Sequence, residues 1–116
     1  MERSKRLNRT QDIQRVRQKG RSFPHPYVVL TILEDAETEG EAKIAIIATK
    51  SVGGAVDRNQ AKRMLREGIG PLLHSIRPNV QIVLIARKKI LDCEVPVVNT
   101  VLSTLLEKAG ALVSEK

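Results

Sequence analysis

The chain has 116 residues, a net charge of +7 and a pI near 10.0, and 41% of its residues are hydrophobic. That is the size of one domain with a modest aliphatic core; its apolar runs fall short of the roughly 18–20 residues a membrane span needs. The start Met1–Arg6 is not a secretory leader, and the lone Cys93 permits no internal disulfide, so the expected location is a reducing cytoplasm.

The bases are grouped. Residues 1–21 carry eight (Arg3, Lys5, Arg6, Arg9, Arg15, Arg17, Lys19, Arg21) against Glu2 and Asp12, while five acids crowd into Glu34–Glu41. Grouped bases on a small domain point to a polyanionic partner; a plain solubility surplus is the alternative. Residues 1–8 are expected to form a flexible basic arm. A helix is predicted over Thr10–Lys19, with Thr10 as N-cap, Asp12 near the positive end of its dipole and Gly20 as its stop. Phe23-Pro24-His25-Pro26 is expected to be a turn. Tyr27–Leu33 and Lys43–Thr49 are predicted strands, with the acidic segment as a hairpin loop between them. Val80–Arg87 is the third main strand. The last two are almost continuously apolar, which implies cover on both faces.

Gly53–Ile69 is predicted to be helical from Ala55 or Arg58. At about 100° per residue, Arg58, Lys62, Arg66, Asn59 and Arg63 fall within about 140° of one another. Met64, Gly68, Ala61, Leu65 and Ile69 take the other side. Cations on adjacent turns repel, a cost readily recovered when phosphates lie along the face. Gly53-Gly54 suits a tight strand-to-helix turn, with Asp57 in the first turn or at the N-cap, where Gln60 would complete a capping pair. Gly70-Pro71 should kink or end the helix. A final helix from about Pro96 places Val98, Val101, Leu102, Leu105, Leu106 and Ala109 on one side. The fold class is therefore α+β, a small single-domain sandwich in the order α-β-β-(β)-α-β-α around a mostly antiparallel central sheet.

No catalytic constellation emerges. His25 and His74 lack carboxylate partners at a useful spacing, and the acidic segment lacks metal-loop spacing. Asp92 and Glu94 flank Cys93 and should raise its pKa, the wrong direction for a nucleophile. A helix-turn-helix DNA regulator is disfavoured because strands flank the basic helix. A ribosomal or other structural RNA-binding protein, with no role in tRNA processing, remains open on physical grounds.

Residues Thr49–Glu67 resemble the signature of the bacterial ribonuclease P protein component, roughly Ser-Lys-Lys-x-Gly-x-Ala-Val-x-Arg-Asn-Arg-x-Lys-Arg-x-x-Arg-Glu. Lys50, Gly53, Ala55, Val56, Arg58, Asn59, Lys62, Arg63, Arg66 and Glu67 fall in register. Gln11–Val16 with Gly20-Arg21, and Val83–Arg87, resemble the family's first helix and last strand. Gln60 and Ser51 replace usual bases, and Ile13 and Arg17 stand where aromatics are common. The resemblance implies a single family domain over residues 1–116, with a left-handed crossover around the basic helix. It implies an RNA-binding subunit that assists a catalytic RNA in removing the 5′ leader of precursor tRNA. Lys50, Arg58, Asn59, Gln60, Lys62, Arg63 and Arg66 would face that RNA. Ile13, Arg17, Phe23, Tyr27, Thr31 and Arg87 would line a leader-binding cleft. Mg²⁺ would be held by the RNA, with no catalytic, metal or cofactor residue in the protein. The expected partners are the catalytic RNA and the leader, with no membrane, no small-molecule substrate and a monomeric protein.

Overall fold

A computed structural model describes residues 10–34, 40 and 42–113. The expected N-terminal arm and most of the acidic segment lie outside the described residues. Chain order gives α1 (Thr10–Lys19), β1 (Arg21–Pro24), β2 (Val28–Glu34), β3 (Lys43–Ile47), α2 (Ala55–Ile69), β4 (Val80–Ala86) and α3 (Val95–Lys108). Short 3-10 turns occupy Gly70–Ser75 and Lys88–Asp92.

The sheet order is β1-β2-β4-β3, with β1–β2 and β2–β4 antiparallel and β3–β4 parallel. The α+β sandwich and its mostly antiparallel sheet are as expected, but the hairpin is not. β4 lies between β2 and β3, so the acidic segment bridges separated strands. β4 has the stronger claim to the centre because all its residues except Ile85 are buried. Phe23 and Pro24, expected to begin a turn, instead end the strand β1. Pro24 is accommodated there because β1 is an edge strand, where a missing amide hydrogen breaks no ladder.

Alternation sorts the strand residues onto two faces. Val28, Leu30, Ile32, Ile44, Ile82, Leu84 and Ala86 join α2 and α3 in the main core. Ala45 and Val83 point the other way and pack with Val16 of α1, flanked by Ile13, Leu33, Ile47 and Ile85. Thus α1 covers one face of the sheet, and α2 and α3 cover the other. The buried side of α3 contains Val98, Leu102, Leu105 and Leu106, with Ala109 just beyond its end.

Gly68 permits the close crossing of α2 and α3. A Cβ there would lie 2.8 Å from Val98 Cγ1 and 3.3 Å from Leu102 Cδ1. Asn99 Nδ2 donates to the Gly68 carbonyl at 2.9 Å across the same crossing. In an open helix Gly→Ala gains about 1 kcal/mol. Here overpacking should reverse the sign, so Gly68→Ala is expected to destabilise by about 1–3 kcal/mol. A thermal melt with a raised midpoint would contradict that.

Candidate nucleic-acid interface

The strand-to-helix turn before α2 is built from glycine geometry. Gly53 adopts φ 145°, a region side chains rarely enter, and a Cβ there would also collide with the Asp57 carboxylate. Gly54 is the N-cap, in extended backbone, with no side-chain hydrogen bond. The expected Asp57–Gln60 capping pair is therefore corrected. The helix starts at Ala55, which puts Asp57 in the first turn rather than at the cap.

From Ala55 onward the two sides of α2 separate as the spacing predicts. Ala61, Met64, Leu65, Gly68 and Ile69 are buried. Asn59, Gln60, Arg63, Arg66 and the preceding Lys50 are exposed, while Arg58 and Lys62 are half-buried. Half-burial suits long cations whose stems lie along apolar surface while their heads reach water. The only acid paired with this cationic face among the described residues is Glu67. Its Oε1 accepts from Arg63 Nε at 3.1 Å, and the two side chains are 48% and 67% exposed. An exposed pair one turn apart contributes only about 0.3–0.5 kcal/mol, so Arg63 can exchange this partner for phosphate at little cost.

Charge alone does not single out Val56. It is 82% exposed, the highest figure among the exposed large hydrophobics of the described residues. Its i+3 and i+7 neighbours are Asn59 and Arg63, which places it on the polar side of the helix. An unburied β-branched residue at that spacing is the signal that a charge-based reading passes over. Gly70 remains right-handed, and the helix tightens into the 3-10 turn Gly70–Ser75 where Pro71 stands. This is the break expected at Gly70-Pro71, achieved by rewinding rather than by a sharp kink.

The six residues assigned to a leader cleft do not share one surface. Ile13 packs on the α1 face of the sheet beside half-buried Ile47 and Ile85, and Arg17 is exposed on the same helix. Thr31 is 2% exposed, with its hydroxyl 3.0 Å from Ser22 Oγ, which leaves it little surface to offer a ligand. Phe23 lies opposite Leu30 in the ladder and packs with Tyr27 against the main core. Cross-strand partners share a face, so Phe23 belongs to the α2–α3 side, not the α1 side. Arg87 is exposed just past β4, its amide donating to the Tyr27 carbonyl at 3.0 Å. The open surface beside α1 is thus lined by Ile13, Arg17, Ile47 and Ile85.

Other chemistry is muted. Burial pushes the Cys93 thiol up, Asp92 adds to the effect, and Sγ donates to the Ile90 carbonyl at 3.1 Å. Among the described residues no three His, Cys, Asp or Glu side chains gather as a metal site, and no helix is long and apolar enough to cross a membrane.

The Ribonuclease P family model matches residues 1–110. The chain belongs to the ribonuclease P protein family. The ribonuclease P protein component of Herpetosiphon aurantiacus is 33% identical over 109 residues, covering 94% of this chain and 87% of the relative. That of Symbiobacterium thermophilum is 33% identical over 115 residues, covering 99% of each. Among solved structures, the Staphylococcus aureus RNase P protein superposes with a TM-score of 0.80 at 27% identity, over 93% of this chain and 97% of that one. The Thermotoga maritima RNase P protein shares the fold, with a TM-score of 0.75 at 24% identity over 89% of this chain and 96% of that one. Membership makes the chain a ribonuclease P subunit, a partner of ribonuclease P RNA in tRNA processing. The other structural RNA-binding reading is set aside.

Proposed function

We propose that α2 and Lys50 dock the protein onto the ribonuclease P RNA, and that the open surface beside α1 receives the 5′ leader of precursor tRNA. The carrying observation is that one side of α2 is buried while the opposite side presents Arg58, Lys62, Arg63 and Arg66. Catalysis belongs to the RNA in this reading: the RNA, with Mg²⁺ bound to it, hydrolyses the phosphodiester. The protein supplies counter-charge, which matters most when Mg²⁺ is scarce, and a second surface that recognises leader-bearing substrate. Binding by phosphate contacts is sequence-tolerant and falls steeply with salt. With aliphatic residues rather than aromatics beside α1, the leader surface works through phosphate and hydrophobic contact more than stacking.

The test is reconstitution with a bacterial ribonuclease P RNA at low Mg²⁺. Adding the protein should restore leader removal that the RNA alone performs poorly. Restoration by an equal charge of polylysine, or none with the protein, would defeat this reading.

A further inference from the structure

Val56 stands apart from the other exposed apolar side chains of the described residues. It is 82% exposed, against 43% for Val97 and 44% for Val113, so protein already covers more than half of each of those two. A single exposed apolar side chain is ordinary on a protein surface; what distinguishes Val56 is its place. It sits in the first turn of α2, where a β-branched residue is a poor helix former and an acid would suit the dipole better. Neither helix propensity nor burial within the protein accounts for valine there.

The helix sets it among polar groups. With Arg58 at zero and about 100° per residue, Val56 projects at about 160°, between Arg63 at about 140° and Glu67 at about 180°. Asn59 and Gln60, both exposed, are its neighbours one turn on, and Arg63 follows a turn later. On the other side, exposed Lys50 stands in the turn closed by the Gly53 amide, which donates to the Lys50 carbonyl at 3.1 Å. The way to Val56 from that side is clear. A Cβ at Gly54 would meet nothing within 4 Å, and Ala55 adds only a methyl group.

A surface of cations and amides suits nucleic acid, and an isopropyl group within it needs an apolar part of a nucleotide to cover it. Continuous A-form duplex offers none of any size: stacking hides the base faces, and phosphates, 2′-hydroxyls and base edges are what it presents. A base displaced from the stack, in a bulge or loop, exposes its face. Laying that face on Val56 removes apolar area from water on both partners. We propose that Val56 is buried against an unstacked base of the ribonuclease P RNA, so that α2 docks on an interrupted or unpaired element rather than on continuous duplex. The cations supply affinity without regard to shape, and the valine adds a contact that only the splayed nucleotide can make. This rests on the docking of α2 argued above and deepens it.

The experiment compares the full chain with Val56→Ala and with Val56→Thr, which keeps the branched shape and replaces a methyl group by a hydroxyl. Each is titrated with a bacterial ribonuclease P RNA over a KCl series and with a plain RNA duplex of about 20 base pairs, and each is checked by thermal melt. Both variants should melt within about 2 °C of the unaltered protein, because the side chain is already in water. Both should lose roughly 3- to 10-fold in affinity for ribonuclease P RNA. The slope of log affinity against log salt should stay the same, since no counterion is released at an apolar contact. Affinity for the duplex should stay within about twofold. Unchanged affinity for ribonuclease P RNA in both variants would leave Val56 to solvent or to a protein partner and overturn the proposal. So would an equal loss on the duplex, which has no splayed base to offer, or a loss accompanied by a smaller salt slope, which would make Val56 a support for its cationic neighbours. The variant with alanine at Arg58, Lys62, Arg63 and Arg66 is titrated alongside; if that one keeps its affinity, the docking of α2 itself fails and the valine contact fails with it.

Discussion

Alanine at Arg58, Lys62, Arg63 and Arg66 together is expected to lower affinity for ribonuclease P RNA by roughly three orders of magnitude near physiological salt. The figure assumes one phosphate per cation at about 1 kcal/mol each, with about 1.4 kcal/mol to a decade. The slope of log affinity against log salt should shrink by about three, because fewer counterions are released. Stability should move the other way or not at all. These side chains are exposed or half-buried, and the one ion pair they make among the described residues, Arg63–Glu67, is exposed. Alanine is the best helix former, and removing four like charges relieves repulsion along α2. Binding isotherms over a KCl series and a thermal melt on the same samples separate the effects. Affinity that survives the change, or falls only with the melting midpoint, would show that this face is not where the RNA sits.

α2 was readable from sequence because a single period of 3.6 sorts its residues twice, once by apolarity and once by charge. Ala61, Met64, Leu65, Gly68 and Ile69 are the predicted buried side and the observed one. Strand partners were not readable in the same way. The runs Lys43–Ile47 and Val80–Ala86 announce strands, but alternation says nothing about which strand lies beside which, and proximity in sequence favoured a hairpin that β4 prevents. β1 escaped notice because four residues ending in Pro24 carry little periodic signal. That omission also misplaced Phe23: a side-chain period of two means that its face is set by register with Leu30, and register is invisible until the pairing is known. An open depression of about 460 Å³ lined by Pro24, His25, Pro26 and Arg87–Lys89 was hidden for a related reason. Pro24–Pro26 and Arg87–Lys89 lie far apart in the chain and meet only through the β1–β2–β4 ladder.

Gly20→Ala should be the most damaging single-methyl change in the described part of the chain. Gly20 looks from sequence like a helix stop, yet it is absent from the glycines with positive φ. Space is what requires it. A Cβ would lie 2.5 Å from the Val16 carbonyl oxygen, 2.7 Å from the Ile32 carbonyl oxygen and 2.9 Å from Thr31 Cγ2. Two of those neighbours are backbone, one in α1 and one in β2, so no rotamer change relieves the contact. Either α1 lifts from the sheet or the β1–β2 ladder shifts at Arg21–Ile32, its first pair. Overpacking of this kind costs about 3 kcal/mol, and at about 4–8 °C per kcal/mol for a domain this size the melting midpoint should fall by about 10–25 °C. The damage should also be one-sided. α1 is the cover of the Ala45–Val83 face, whereas α2 is seated on the opposite face by a separate core. Below its melting transition the variant should therefore keep its affinity for ribonuclease P RNA and lose preference for leader-bearing substrate. An unchanged midpoint would mean that Gly20 serves only as a stop. Equal loss of both affinities would mean that the two faces of the sheet do not act as separate binding surfaces.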